Sequence, residues 1–435
     1  MPPAWVTSTL LAALLGGLVV AAPTQARADD PPADAGIPDR AFEEGAPQPV
    51  WLEWTAPEDD ERVEGPVGWV EVRGWAGVGN RVRHDVVIVI DVSGSTAVAS
   101  GVDVDGDGTL GKRRRRLDPL RSYNPRHYSS DLDDTVLSAE LVATRRLVSL
   151  LDPDRTRIGL VAFASGARIL APLGSDMERI DAVLRDLEGS FGSGSTNLAE
   201  AIARATEALQ AGEISHERRR KTILVLSDGF PTVPGTPRLA AERALEEASA
   251  AVDLGVRLNT FALGLETAGT EDVYAVVARV SGGAYRRLDR PGEIIHELPR
   301  VDLADVAGVE IDNLTTGTTG RAVRVRPDGS FDGFLRLADG DNRIRVNARS
   351  DAGSERSDHR VVVFDEREPR DADEAAAFDE RIRILKRTLA HRRVETELVN
   401  EIEAARAQRR ALVIGVEDRD TAVSAGDDAP EGARQ

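Results

Sequence analysis

The sequence predicts an α/β fold: a doubly wound, mostly parallel sheet with helices on both faces, set between all-β segments and followed by one long helix. Three observations carry this. Val86-Val87-Ile88-Val89-Ile90 and Thr222-Ile223-Leu224-Val225-Leu226 are continuous, largely β-branched runs, the pattern of strands buried on both faces. Between and after them, strand-like runs alternate with amphipathic helical stretches, the rhythm of βα units. Short alternating segments flank this region on both sides.

The elements follow in order. Thr9 to Ala22 is an uncharged apolar run, short for a bilayer, and Ala26-Arg27-Ala28 follows it. Residues 1–28 therefore read as a signal peptide cleaved after Ala28; the competing reading is an uncleaved amino-terminal anchor. Cleavage leaves no transmembrane span and places the chain outside the cytoplasm, secreted or periplasmic. Residues 29–48 are rich in Pro, Ala and acid, and read as a disordered linker. Residues 49–84 hold Trp51, Trp54, Trp69 and Trp75 and the alternating Val70-Glu71-Val72-Arg73, which predicts two short strands.

Residues 85–300 carry the βα rhythm. Helix Val136–Leu151 leads to strand Arg157–Phe163, with a hairpin partner at Ala167–Leu170. Helices Met177–Leu187 and Leu198–Gln210 precede the Thr222 strand. Helix Leu239–Leu254, strand Arg257–Leu263 and helix Glu271–Val280 come next, the last stopped by Gly282-Gly283. Strand Ala284–Leu288 and a short helix Gly292–Leu298 close the unit. Residues 301–366 return to about five short strands, with Val323, Val325, Ile344 and Val346 in alternation and Val361–Phe364 last. This segment resembles a bacterial immunoglobulin-like sandwich, which usually needs about seven strands. The strands of 49–84 supply the deficit, so the parallel-sheet domain is expected to interrupt a split sandwich. Residues 371–414 predict a long helix with an interrupted stripe at Phe378, Ile382, Leu385, Leu389, Leu398 and Ile402. It either docks on its own sandwich or forms a coiled-coil arm. Residues 415–435 read as an acidic disordered tail.

The chemistry gathers at the strand ends. Asp91-Val92-Ser93-Gly94-Ser95-Thr96 follows the first buried run, so one turn receives a carboxylate and two hydroxyls. Gly192-Ser193-Gly194-Ser195-Thr196-Asn197 precedes a helix and offers the hydroxyl of Thr196. The second buried run ends in Ser227-Asp228-Gly229. In open α/β sheets ligands collect beyond the carboxyl ends of the strands, where both acids fall. An all-oxygen set suits a hard divalent cation and suits zinc poorly.

Asp-x-Ser-x-Ser, then Thr, then Asp resembles the metal-ion-dependent adhesion site of the von Willebrand factor type A family. Asp91, Ser93, Ser95, Thr196 and Asp228 match its five positions, and the resemblance spans roughly residues 85–300. It implies binding without turnover: a Mg2+ (or Mn2+) site whose open position takes an acidic residue of a protein partner. Whether Asp91 or Asp228 ligates directly is open at this stage.

Between Ser95 and the first helix lies an insertion, residues 97–131. It contains Asp103-Val104-Asp105-Gly106-Asp107-Gly108-Thr109. Carboxylates at positions one, three and five with Gly at six resemble a Ca2+ loop, with the Thr109 carbonyl as a further ligand. Arg114 stands where such loops have a bidentate glutamate, and Asp131, Asp133 and Asp134 are candidate replacements. Gly106 to Lys112 also approximates a phosphate-binding loop, but Arg113 follows the lysine and three aspartates would repel phosphate, so no nucleotide is expected.

The net charge of -19 argues against a nucleic-acid partner. With no cysteine, disulfides, thiol chemistry and a lipidated cysteine anchor are excluded. The six histidines lie outside the motif segments, and no nucleophile elbow or His-Glu-x-x-His stretch occurs, which argues against an enzyme. The alternatives to an adhesion module are an accessory subunit of an AAA-type ATPase and, less favoured, a metal-assisted hydrolase.

Overall fold

Three strands open the structure, a computed structural model that describes residues 48–116, 126–188, 193–212, 218–264 and 272–392. All of these lie in one compact unit, Pro47–Gln435. The expected signal peptide, most of the linker, the end of the long helix and the acidic tail lie outside the described residues. The strands are β1 (Val50–Ala56), β2 (Glu61–Gly65) and β3 (Trp69–Val78). Two were expected. The additional β2 is Glu-Arg-Val-Glu-Gly, with no apolar alternation to betray it.

The central domain follows. Its first strand is β4 (Arg83–Asp91). The insertion contributes two strands that pair antiparallel, β5 (Arg113–Arg116) with β6 (Arg126–Ser129). Helix α1 (Val136–Leu150) then leads to β7 (Thr156–Phe163), β8 (Ala167–Ala171) and α2 (Met177–Leu187). Next come α3 (Leu198–Ala211), β9 (Arg219–Ser227), α4 (Pro237–Asp253) and β10 (Val256–Leu263). Helix α5 (Val273–Val280) and β11 (Tyr285–Leu288) precede α6 (Ile294–Glu297), which is flanked by single 3-10 turns.

The six strands run in the order β11-β10-β9-β4-β7-β8. Neighbours are parallel except for β8, which returns antiparallel on β7. Val86 to Ile90 are fully buried, each worth about 1.5–3 kcal/mol of apolar burial. Alternation splits them: Val86, Ile88 and Ile90 face α1, α2 and α6, while Val87 and Val89 face α3, α4 and α5. The strand order reverses beside β4, so a crevice opens at the ends of β4 and β9. Their register pairs Ile90 with Leu226, which brings the next residues of each strand side by side.

The remaining strands are β12 (Val306–Asn313), β13 (Thr318–Thr319), β14 (Arg321–Val325), β15 (Ser330–Arg336), β16 (Gly340–Ser350) and β17 (Glu355–Glu366). They form two sheets with the opening strands, β1-β3-β15-β14 and β13-β12-β16-β17-β2. β3 pairs antiparallel with β15 from Trp69↔Arg336 to Trp75↔Ser330, and β2 pairs parallel with β17. Six strands stand where about five were expected, and the two sheets share one apolar core that includes Val72, Phe331, Val346 and Phe364.

A last helix, α7, covers 372–392. Phe378, Ile382, Leu385 and Leu389 are half-buried and Arg392 is buried. Arg392 pairs with buried Asp332 and lies 4.7 Å from the centre of the Phe334 ring. The described part of the helix is thus docked on the sheets. Polar contacts join the base of the central domain to the same sheets. Trp75 Nε1 donates to Asp152 at 3.1 Å, and Arg220 donates to Asp305 at 2.8 Å and to the Leu303 carbonyl at 2.7 Å.

Candidate metal centre

Asp91 ends β4 fully buried. Its Oδ1 accepts the Ser93 N–H at 2.8 Å, which bends the chain so that Ser93 and Ser95 face the crevice. Two backbone bonds zip this turn to the Thr196 loop: Ser193 N–H to the Val92 carbonyl at 3.0 Å, and Gly94 N–H to the Gly194 carbonyl at 3.1 Å. Gly194 has φ +95, and a Cβ there would lie 2.8 Å from Ser165 Oγ, so glycine suits both the turn and the close approach. Asn197 then caps α3 by accepting the Glu200 N–H at 3.2 Å.

Four of the five side chains form one string. Thr196 Oγ1 donates to Ser93 Oγ at 3.3 Å. Ser93 and Ser95 hydroxyls are 3.0 Å apart, and Ser95 Oγ donates to Asp228 Oδ1 at 2.6 Å. The proton of Ser95 is committed to Asp228, so Ser93 donates to Ser95. Each hydroxyl passes its proton toward Asp228 and keeps a lone pair. Asp91 stands behind the string. Its Oδ2 accepts from Ser227 Oγ at 2.6 Å. The structure thus brings together Asp91, Ser93, Ser95, Thr196 and Asp228, which lie up to 137 positions apart (228 − 91).

Three residues that the sequence reading did not single out surround them. Ser227 orients Asp91. Tyr274 on α5, fully buried, donates its hydroxyl proton to the Gly229 carbonyl at 2.7 Å and sits 2.8 Å from Ser227 Oγ. Glu140 on α1 is fully buried, and its Oε2 accepts the Asp91 N–H at 3.2 Å. The signal for Glu140 was in the sequence: it is the one charged residue in the buried stripe of α1.

Burial raises the Asp91 carboxyl above its usual range, against the hydrogen bonds of Ser227 and Ser93. Glu140 is raised well above its usual value, first by burial and then by the charges of Asp91 and Asp228. The site strains against its own negative charge. An all-oxygen donor set with hydroxyl lone pairs free and buried carboxylates in excess fits a hard divalent cation.

The insertion places its acids differently from the sequence reading. Carboxylate oxygens of Asp103, Asp105 and Asp134 lie within 4.8 Å of one another. Asp134 is the distal acid, and it is tied to the loop by the N–H groups of Val104 and Gly111, both at 2.6 Å. Asp107 is not in this group. Its Oδ1 accepts the Thr109 N–H at 2.6 Å, which also folds Thr109 into a local turn.

Residues 121–230 match the family model described as von Willebrand factor type A domain, about a quarter of the chain. The matched stretch contains Thr196 and Asp228 and begins after Ser95. It supports a von Willebrand factor type A domain within this chain. No curated protein matches. Solved structures similar to part of it include the following three. An aerotolerance-related membrane protein from Bacteroides fragilis shares 17% identity over 49% of this chain and 95% of that one, TM-score 0.32. The PilB minor pilin from Streptococcus sanguinis shares 13% over 57% and 76%, TM-score 0.34. Proximal thread matrix protein 1 from the mussel byssus, solved with a zinc-occupied MIDAS motif, shares 14% over 50% and 46%, TM-score 0.33.

Proposed function

We propose that this chain is a metal-dependent protein-binding module of the cell exterior, secreted or periplasmic. Ser93, Ser95, Thr196 and Asp228 would hold Mg2+ (or Mn2+), with Asp91 steadying the turn or ligating through water. The cation supplies a hard acceptor for a carboxylate oxygen, so the partner is a protein presenting an acidic residue. The observation that carries this reading is the donor string from Thr196 to Asp228, built from three separate segments at the ends of β4 and β9 and at the start of α3.

Recognition without turnover suits this arrangement. Ser227, Tyr274 and Glu140 all serve Asp91 or its neighbours through the backbone and through Oδ2. They make a preorganised cradle, which lowers the ordering cost of binding. The exterior address rests on the apolar run Thr9 to Ala22 and the Ala26-Arg27-Ala28 pattern. A second cation, Ca2+, is proposed for Asp103, Asp105 and Asp134, whose oxygens lie close enough to share one ion.

The test is a pull-down of extracellular components with the full chain, in Mg2+ and in chelator. A protein captured only with Mg2+, and lost on Asp91→Ala, is the expected outcome. Capture that survives both chelator and Asp91→Ala would remove the site from the recognition surface.

A further inference from the structure

Glu140 stands where the helix period calls for an apolar side chain. It shares the buried stripe of α1 with Val136, Thr144 and Leu147. A carboxylate in that position costs free energy unless a charge or a full set of donors matches it. Only Oε2 is matched, by the Asp91 N–H at 3.2 Å. Oε1 is buried with no hydrogen-bond partner, and no cationic side chain pairs with Glu140 among the described residues. Asp91 is fully buried beside it and Asp228 is 7% exposed. Three buried carboxylates therefore crowd the ends of two adjacent strands.

We propose that Glu140 belongs to the metal site as its third carboxylate, a positioning residue that holds the end of β4 and whose charge the bound cation neutralises. This rests on the metal-binding reading above and goes beyond the five-residue motif. Held by Oε2 to the strand that delivers Asp91, Glu140 fixes where the turn begins. In the cation-loaded site its carboxylate adds to the negative charge of the motif, and so favours cations of higher charge. Coulomb attraction scales with cation charge. Loss of one carboxylate therefore weakens a trivalent ion more than a divalent one, a distinction that mere loss of packing does not produce.

The experiment titrates the full chain with Mg2+ and with Tb3+ by calorimetry, in an Asp103→Ala background that removes the acidic loop from the signal. Glu140→Gln keeps the acceptor for the Asp91 N–H and deletes the charge. It should lower Mg2+ affinity by about tenfold and Tb3+ affinity by more, with far-UV circular dichroism unchanged. Glu140→Asp keeps the charge and should keep the wild-type ratio of Tb3+ to Mg2+ affinity. If the Gln variant does not fold, that ratio in the Asp variant decides, and a changed ratio overturns the proposal. Undiminished Mg2+ affinity in Glu140→Gln, or an equal loss for both ions, assigns Glu140 a purely structural role and also overturns it. Failure of the parent chain to bind Mg2+ at all would instead remove the metal-site reading, and this inference with it.

Discussion

Ser227 and Tyr274 decide where Asp91 points, and neither carries a mark in the sequence. The five motif residues were legible because each follows a recognisable strand end or precedes a helix start. Their partners were not, because a serine at the end of β9 and a tyrosine on α5 acquire their roles only across elements. His84 is a second case at this scale. It is the second residue of β4, at the end opposite the metal site, and is 2% exposed. Burial, aided by the Arg220 charge, pushes its imidazole down to about 4 from 6.5. The unfolded chain thus takes up the proton more readily than the folded one. Stability is complete above pH 6.5 and falls as the pH drops toward 4, by about 3 kcal/mol for this group. Urea denaturation at pH 7 and at pH 4.5 measures it. His84→Gln should flatten that part of the profile, and an unchanged profile would mean that His84 is not the group responsible.

At the scale of elements, the apolar strands and capped helices of the central domain were readable from period and punctuation. β2 was not, because Glu61–Gly65 is a strand only by virtue of the partner offered by β17, some 300 positions away. The acidic loop was readable as a candidate, but its geometry was not. Which distal acid closes it depends on the fold, and Asp134 does so because it is drawn in by the N–H groups of Val104 and Gly111. This loop also touches its surroundings: the Gly292 N–H donates to the Ser100 carbonyl at 2.9 Å, and a Cβ on Gly292 would lie 2.3 Å from a Val102 methyl. Ca2+ should therefore protect amides of residues 100–112 from hydrogen exchange and raise the melting temperature. Asp103→Ala should abolish both effects. Equal protection with and without Ca2+ would leave the loop as a solvated acidic turn.

The whole molecule adds what neither residues nor elements contain. Strands on either side of the central domain pair with one another, so both of its ends are fixed in the same pair of sheets. Arg220 and Arg257 meet on Asp305, and the Arg155 guanidinium lies 4.2 Å from the centre of the Trp75 ring, which firms that junction. The expectation of shared strands rests on the shortfall in residues 301–366, which the strands of 49–84 make up. Which strands pair, and with what register, is a property of long-range contacts that no local pattern records. On the proposed function, oxygen-bearing side chains from three distant segments surround one hard cation. That claim is tested most directly by a crystal of the full chain grown with Mn2+. The expected result is an anomalous difference peak with Ser93, Ser95, Thr196 and Asp228 oxygens about 2–2.5 Å away or one water removed. A well-ordered site in saturating Mn2+ without such a peak would contradict it.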